Sequence, residues 1–458
     1  MDAKARASRV RMFGKLREAA MSVTTYPQSA AHVDLGTLRK VIAASAIGNF
    51  VEWFDFAVYG FLAVTIASLF FPPGNPTLAL LQTFAVFAVS FALRPLGGIV
   101  FGILGDRIGR KRVLSITVLL MAGATTLIGL LPTYASIGLV APLLLALARC
   151  LQGFSAGGEY AGACAFVMEH APTEQKARYG SFVPVSTFAA FACAAGLVFG
   201  MGIWLDEAQM QAWGWRVPFL IAAPLGLVGL YMRLRLDESP AFQALAAQVH
   251  PEHSPLRETL REHGGTVLCL SAFISATALS FYMFTTYLTT YMQVVGGAAR
   301  PIALLASLVA LFFAALLCPF VGRYSDRVGR RRTILTAGIA LIVAVYPAFT
   351  LAASGTLWAS AVGAMLLAVG AVICGVVTAV LLSEQFPTRV RYTASAFTYN
   401  LAYTVFGGTA PLVATWLIEA TGNRMSPAFY LIAIALLALA GGLALPESSK
   451  RSLDEPMK

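Results

Sequence analysis

Gly102-Ile-Leu-Gly-Asp106-Arg107-Ile-Gly109-Arg110-Lys111-Arg112 closes one long apolar run, and Gly322-Arg-Tyr-Ser-Asp326-Arg327-Val-Gly329-Arg330-Arg331-Arg332 closes another 220 residues later. A second pair repeats at almost the same offset: Glu169-x-x-Pro172-x-x-x-Lys176 and Glu384-x-x-Pro387-x-x-x-Arg391. Two matched loops, each displaced by nearly half of the 458 residues, indicate a duplicated unit. The duplicated unit is apolar. The chain is 58% hydrophobic and only 12% charged, where a soluble protein of this size needs about 25% charged residues to cover its surface.

Apolar runs near the ~20 residues needed to cross hydrocarbon recur throughout. They read as spans at 39–71, 78–104, 112–132, 137–169, 177–205 and 214–234 in the first half. The second half gives 264–294, 301–322, 332–352, 356–384, 391–420 and 426–446. The expected fold is therefore an all-α membrane protein of twelve transmembrane helices in two pseudo-symmetric six-helix bundles, 39–234 and 264–446. A polar tail, 1–38, precedes them, a charged linker, 235–263, joins them, and a tail, 447–458, follows.

Of the 33 Lys and Arg, all but Arg94, Arg149, Arg216, Arg300 and Arg424 fall in the termini or the even-numbered loops. That is the positive-inside pattern and places both termini in the cytoplasm of a plasma (inner) membrane. A nucleic-acid partner would need a contiguous soluble basic domain, and the sequence has none. The basic residues up to Arg17 lack the apolar core of a secretory signal; they form a tail suited to anionic lipid, with Met21 as a second candidate start. All six cysteines lie in apolar runs without metal-ligand spacing, and no histidine sits mid-span, so no metal, disulfide framework or cofactor is expected. No nucleophile–base pair stands out, which argues against an enzyme.

The repeated loop has a mechanical reading. Gly102 and Gly109, with Gly322 and Gly329, permit tight turns and close helix approach. Asp106 can pair with a cation or a helix N-terminus in its own half, while Arg107 and Arg110 can bind acidic groups such as Glu169. By symmetry Asp326, Arg327 and Arg330 answer to Glu384, with Arg391 beside it. Such clusters would lock one side of the protein and release it in the opposite state.

These loops resemble the hallmark of the major facilitator superfamily. Arg149-x-x-Gln152-Gly153 resembles a second superfamily motif. Gly48-Asn-Phe-Val-Glu52-Trp-Phe-Asp55-Phe, Arg94-Pro-Leu-Gly-Gly98, Gln152-Gly-Phe-Ser-Ala-Gly-Gly-Glu159-Tyr and Trp213-Gly-Trp-Arg216-Val-Pro-Phe219 are similar to its metabolite:proton symporters. That family includes permeases for citrate, 2-oxoglutarate and shikimate and carriers of proline and betaine. The resemblance covers about residues 40–446 and implies alternating access around a central cavity, with protons and a small organic solute as partners and a monomer as the working unit.

An ionisable side chain at bilayer depth costs at least ~2.5–3.5 kcal/mol, so each is a candidate functional residue. Span 1 carries Glu52 and Asp55 on one helical face, with Asn49 one turn before and Tyr59 one turn after. Two carboxylates so placed can take and release a proton in each cycle; equally, they can neutralise Arg94 or Arg149. Each arginine in turn needs a carboxylate, from the substrate or from Glu52, Asp55 or Glu159. Gln152 and Glu159 are seven residues apart and are expected to share a face of span 4. Spans 7 and 11 offer hydroxyls and amides instead: Tyr282, Thr285, Thr286, Tyr287 and Tyr291, then Thr398, Tyr399, Asn400 and Tyr403. The expected substrate contacts are Asn49, Tyr59, Arg94, Arg149, Gln152, Tyr282, Tyr287, Asn400 and Tyr403, and the expected proton carriers Glu52, Asp55 and Glu159.

Two buried arginines and a net charge of +11 favour an anionic solute. Phe281 to Tyr291 and Phe406-Gly-Gly-Thr-Ala-Pro411 are similar to carboxylate permeases, so the expected substrate is a di- or tricarboxylate such as citrate or 2-oxoglutarate. The stretch from Trp213 to Phe242 is instead similar to the proline/betaine symporters, and Trp53, Phe54, Phe56 and Tyr59 could cage a quaternary ammonium. Osmosensing members carry a long C-terminal coiled coil, and osmolyte carriers an Asp early in span 5 where this chain reads Phe182-Val-Pro184-Val. A zwitterionic osmolyte carrier is thus the alternative, and a non-transporting nutrient sensor of the same fold a third possibility.

Overall fold

The computed structural model describes residues 35–108, 110–157, 159–235, 255–387 and 390–450. The long tail with Met21, most of the linker and residues 451–458 lie outside these. Among the described residues the chain is helical without strands. Eleven helices of the described residues are long and apolar enough to cross a membrane, and a twelfth apolar helix is shorter. They are α1 (Leu38–Phe61), α2 (Pro76–Phe101), α3 (Ser115–Leu130), α4 (Val140–His170), α5 (Thr173–Trp204) and α6 (Glu207–Tyr231). The second half contributes α7 (Gly264–Val294), α8 (Arg300–Val328), α9 (Arg330–Ala352), α10 (Leu357–Glu384), α11 (Arg391–Thr421) and α12 (Ser426–Ala444). The described residues from Leu38 onward form one compact unit, in which α5 packs along α8 and α2 against α11.

Local chemistry sets the helix ends. The Asn75 side chain accepts the Leu78 N–H at 3.0 Å to cap α2, with Pro76 in the first turn, where its missing N–H costs nothing. Asp206 and Gln209 form a reciprocal capping box ahead of α6. Gly422 ends α11 in the left-handed conformation, at φ 65°. Between α8 and α9 the turn runs through Gly329 at φ 91°, a conformation that L side chains rarely adopt.

Close backbone approach positions the centre. A Cβ added to Gly153 of α4 would overlap the Ser90 carbonyl of α2, and one added to Gly157 would overlap that of Arg94. Small residues here let α2 and α4 meet backbone to backbone. The helix in α4 runs from Val140 to Ser155 and resumes at Glu159, so it is interrupted around Gly157. The expectation that Gln152 and Glu159 share one helical face is thereby corrected: the interruption breaks the seven-residue periodicity, leaving Gln152 buried and Glu159 half-buried. Two π-helical turns, Met283–Tyr287 in α7 and Tyr403–Gly407 in α11, fall in the hydroxyl-rich segments. Such turns often mark functional sites, because the extra residue re-aims the side chains around it.

Candidate functional site

The buried charges converge between α1, α2, α3 and α4. Glu52 Oε1 accepts a hydrogen bond from Arg94 Nη2 at 2.9 Å, and both side chains are almost fully shielded. The Arg94 guanidinium lies 5.8 Å from the Trp53 ring centroid, 5.1 Å from that of Phe56 and 5.0 Å from that of Phe91. Arg149 has no carboxylate within ion-pair distance among the described residues. Its Nη1 donates to Gln152 Oε1 at 2.8 Å, and its guanidinium stacks 4.2 Å from the Tyr59 ring, between Phe56 and Phe87. Cation–π contact of this kind compensates a desolvated charge in part.

Asp55 reaches Arg149 through a chain of neutral groups. Thr125 Oγ1 lies 2.9 Å from Asp55 Oδ2 and 3.0 Å from the Met121 carbonyl. It also accepts from Gln152 Nε2 at 2.5 Å. One hydroxyl proton has two alternative acceptors. When Asp55 is ionised, Thr125 donates to it; when Asp55 is protonated, the acid donates to Thr125, which turns to Met121. Thr125 can thus partner Asp55 Oδ2 in either protonation state by turning its hydroxyl. Nothing in the sequence singled out Thr125, one of two adjacent threonines in an apolar helix.

The remaining expected contacts divide. Asn49 donates to the Val183 carbonyl, Ser186 and Thr187 of α5 and accepts from Trp53 Nε1 at 2.9 Å, so its polar atoms are in use. Tyr59 donates to the Thr83 carbonyl at 2.9 Å. Asn400 of α11 donates to the Gly157 carbonyl at 2.5 Å, satisfying an acceptor at the α4 interruption from the other half of the chain. Tyr282 packs edge-on to Phe91 at 5.2 Å and Phe87 at 5.6 Å, and Tyr287 lies 6.3 Å from Phe84. Tyr403 stacks on Tyr399 at 4.0 Å, which stacks on Tyr160 at 4.8 Å. Aromatic groups from both halves therefore close over the charge cluster.

A second polar cluster lies at the face of the repeated loops. In the first copy the Asp106, Arg107 and Arg110 side chains and Gly109 lie outside the described residues, as does the environment of Gly102. In the second copy Asp326 accepts the backbone N–H of Ala177 at 3.0 Å and of Arg178 at 2.8 Å, at the start of α5. The aspartate thus reaches across to the opposite half, where pairing within one half was the expectation for its counterpart Asp106. A Cβ on Gly322 would press 2.5 Å from the Ala177 carbonyl, so only glycine allows this approach. Arg330 grips Glu384 with two bonds of 3.0 Å and also reaches Asp326 at 3.2 Å. Lys176 lies 3.8 Å from Glu384, Arg391 lies 3.6 Å from Glu169, and Arg327 is exposed. Glu447, after α12, accepts the N–H groups of Arg330, Arg331 and Ser449 at 2.9–3.0 Å. Burial alone would raise its pKa, but these three donors outweigh that and hold it at about 2.

Similarity to known proteins agrees with this architecture. The Major Facilitator Superfamily matches residues 45–407 and again 268–457. Over 431 residues the chain is 38% identical to the proline/betaine transporter of Salmonella typhimurium, covering 92% of this chain and 86% of that one. It is 37% identical over 430 residues to a glycine betaine/proline/ectoine/pipecolic acid transporter of Dickeya dadantii, with the same coverage. Among solved structures, a D-xylose–proton symporter superposes with a TM-score of 0.69 at 19% identity, over 90% of this chain and 98% of the other, which bears on the fold alone. The expectation of a di- or tricarboxylate substrate is corrected by these relatives. A physical reason is also visible: the Arg94 charge is not waiting for an anion, because Glu52 already pairs with it, and Asp55 lies buried in the same cluster.

Proposed function

The chain belongs to the Major Facilitator Superfamily, and we propose that within it this protein is a proton-coupled importer of zwitterionic osmolytes of the proline and betaine kind. The observation that carries the proposal is the charge balance at the centre. Two carboxylates and two guanidiniums lie buried together under aromatic rings. Such a set has a counter-charge for each end of a solute with no net charge, while a tricarboxylate would bring three charges into a balanced site. Relatives at 36–38% identity are named as carriers of proline, betaine or ectoine, which supports the same reading.

Asp55 is proposed as the proton carrier. Its partner Thr125 accommodates both protonation states, and Gln152 joins it to Arg149. The halves 39–234 and 264–446 are proposed to rock against each other, with Asp326, Arg330, Glu384, Lys176, Arg391 and Glu169 holding the loop face shut. The excess of Lys and Arg there makes it the cytoplasmic face, with both termini on that side.

The test is uptake into proteoliposomes with an inside-alkaline pH gradient, comparing proline, glycine betaine and citrate. Accumulation of proline or betaine that collapses with a protonophore is expected. Uptake of citrate alone, or of any solute at equal rates with and without the gradient, would overturn the proposal.

A further inference from the structure

The central ion pair carries more donors than it satisfies. Arg94 is 1% exposed, and only its Nη2 meets a carboxylate; Nε and Nη1 have no hydrogen-bond partner among the described residues. The buried hydroxyls of Tyr282 and Tyr399, from the opposite half, have none either. Tyr282 packs on Phe91, which itself lies 5.0 Å from the Arg94 guanidinium, and Tyr403 links Tyr282 to Tyr399. Buried donors normally find partners, so two unmet donors on the Arg94 guanidinium and two on tyrosines linked to it through ring packing point to a ligand that brings acceptors. The rings of Trp53 and Phe91 already face a delocalised cation, so a second organic cation meets favourable surfaces there.

We propose that a zwitterionic solute exchanges into the Glu52–Arg94 ion pair: its carboxylate takes Arg94 with the Tyr282 and Tyr399 hydroxyls, and its cationic nitrogen takes Glu52 and the face of Trp53. This rests on the osmolyte reading above and assigns it a site. Glu52 becomes a substrate residue, distinct from the proton carrier Asp55. The exchange leaves every charge paired. A simple anion would strand Glu52 and a simple cation would strand Arg94, so the pair selects for solutes that carry both charges. Because Tyr282 and Tyr399 belong to the second half, binding draws both halves onto one molecule.

The test uses the purified full chain and equilibrium binding of four probes: glycine betaine, proline, 3,3-dimethylbutanoate (the shape of betaine with carbon in place of the charged nitrogen) and choline, which lacks the carboxylate. The wild-type chain is expected to prefer betaine over either analogue by at least about 100-fold, the lower end of the cost of stranding one buried charge. Glu52→Gln should weaken betaine and strengthen dimethylbutanoate until the preference falls below roughly 3-fold, while Glu52→Asp keeps it. A folded Glu52→Gln chain that retains the wild-type preference would overturn the exchange. Should that variant not fold, Tyr282→Phe decides: a roughly 5- to 10-fold loss of betaine affinity at unchanged melting temperature is expected, and unchanged affinity would overturn the site. A wild-type chain that binds neither betaine nor proline would overturn the osmolyte reading itself, and that result is seen before any substitution is made.

Discussion

Asp326→Asn perturbs the contact that holds the loop face shut. The carboxylate spans the two halves by accepting the N–H groups of Ala177 at 3.0 Å and Arg178 at 2.8 Å, while Arg330 supports it from behind at 3.2 Å. Hydrogen bonds to a charged group are worth about 1.5–3 kcal/mol each. Asparagine keeps one acceptor oxygen and loses the charge, so about 2 kcal/mol of preference for the closed face disappears, or roughly 30-fold in the equilibrium. A chain closed in about 99 of 100 molecules would then be open in roughly a quarter of them. The assay is a pulsed electron–electron distance distribution between spin labels on non-natural residues at positions 174 and 331, both exposed and in opposite halves. The wild-type chain should give one short distance, and Asp326→Asn a second, longer population. Superimposable distributions from a folded variant would refute the assignment of Asp326 as a latch.

Four further outcomes follow from the same geometry. Asp55→Asn should abolish uphill accumulation yet leave solute counterflow intact; loss of both, or of neither, contradicts its role as proton carrier. Thr125→Val leaves Gln152 and Asp55 short of a partner, at about 1–3 kcal/mol, and should lower proton-driven uptake roughly 10-fold, with Thr125→Ser restoring it. Gly153→Ala should destabilise the chain by about 1–3 kcal/mol through overlap with the Ser90 carbonyl, seen as a lower melting temperature, while Gly123→Ala, which meets no neighbour, leaves it unchanged. With Glu447 held at about 2 in the folded chain, its cap on α9 is fully present above the ordinary carboxylate pKa and fades as the pH falls towards 2. The melting-temperature deficit of Glu447→Gln should therefore stay constant from about pH 5.5 to 8, and a deficit that changes across that range contradicts the capping account.

Much of the fold was legible because its signals are local or repeated. Apolar run length gave the helices, and the Gly-x-x-x-Asp loops at Gly102 and Gly322 gave the duplication. Intramembrane charge located the cluster, since Glu52, Asp55, Arg94 and Arg149 have no other reason to be in hydrocarbon. What stayed hidden depends on contacts across the chain. Gln152 and Glu159 read as one face of a continuous helix, but α4 is interrupted around Gly157, where Asn400 from the other half donates to the Gly157 carbonyl. Pairing was equally ambiguous: one helical face supplied two carboxylates and two other helices supplied arginines, and only geometry joins Glu52 to Arg94 while leaving Arg149 to rings, an amide and the Ser90 hydroxyl. Thr125 carries no pattern at all. The substrate was misjudged because arginines were weighed singly, whereas solute charge is selected by the sum over the cluster.

The central claim is that proton entry and zwitterion entry are one event. Its most direct measurement is the luminal pH of lightly buffered proteoliposomes, read with a trapped fluorescent dye, when glycine betaine or proline is added outside. The wild-type chain should acidify the lumen on solute addition, and Asp55→Asn should not. Solute entry without acidification, at any gradient, would contradict the account.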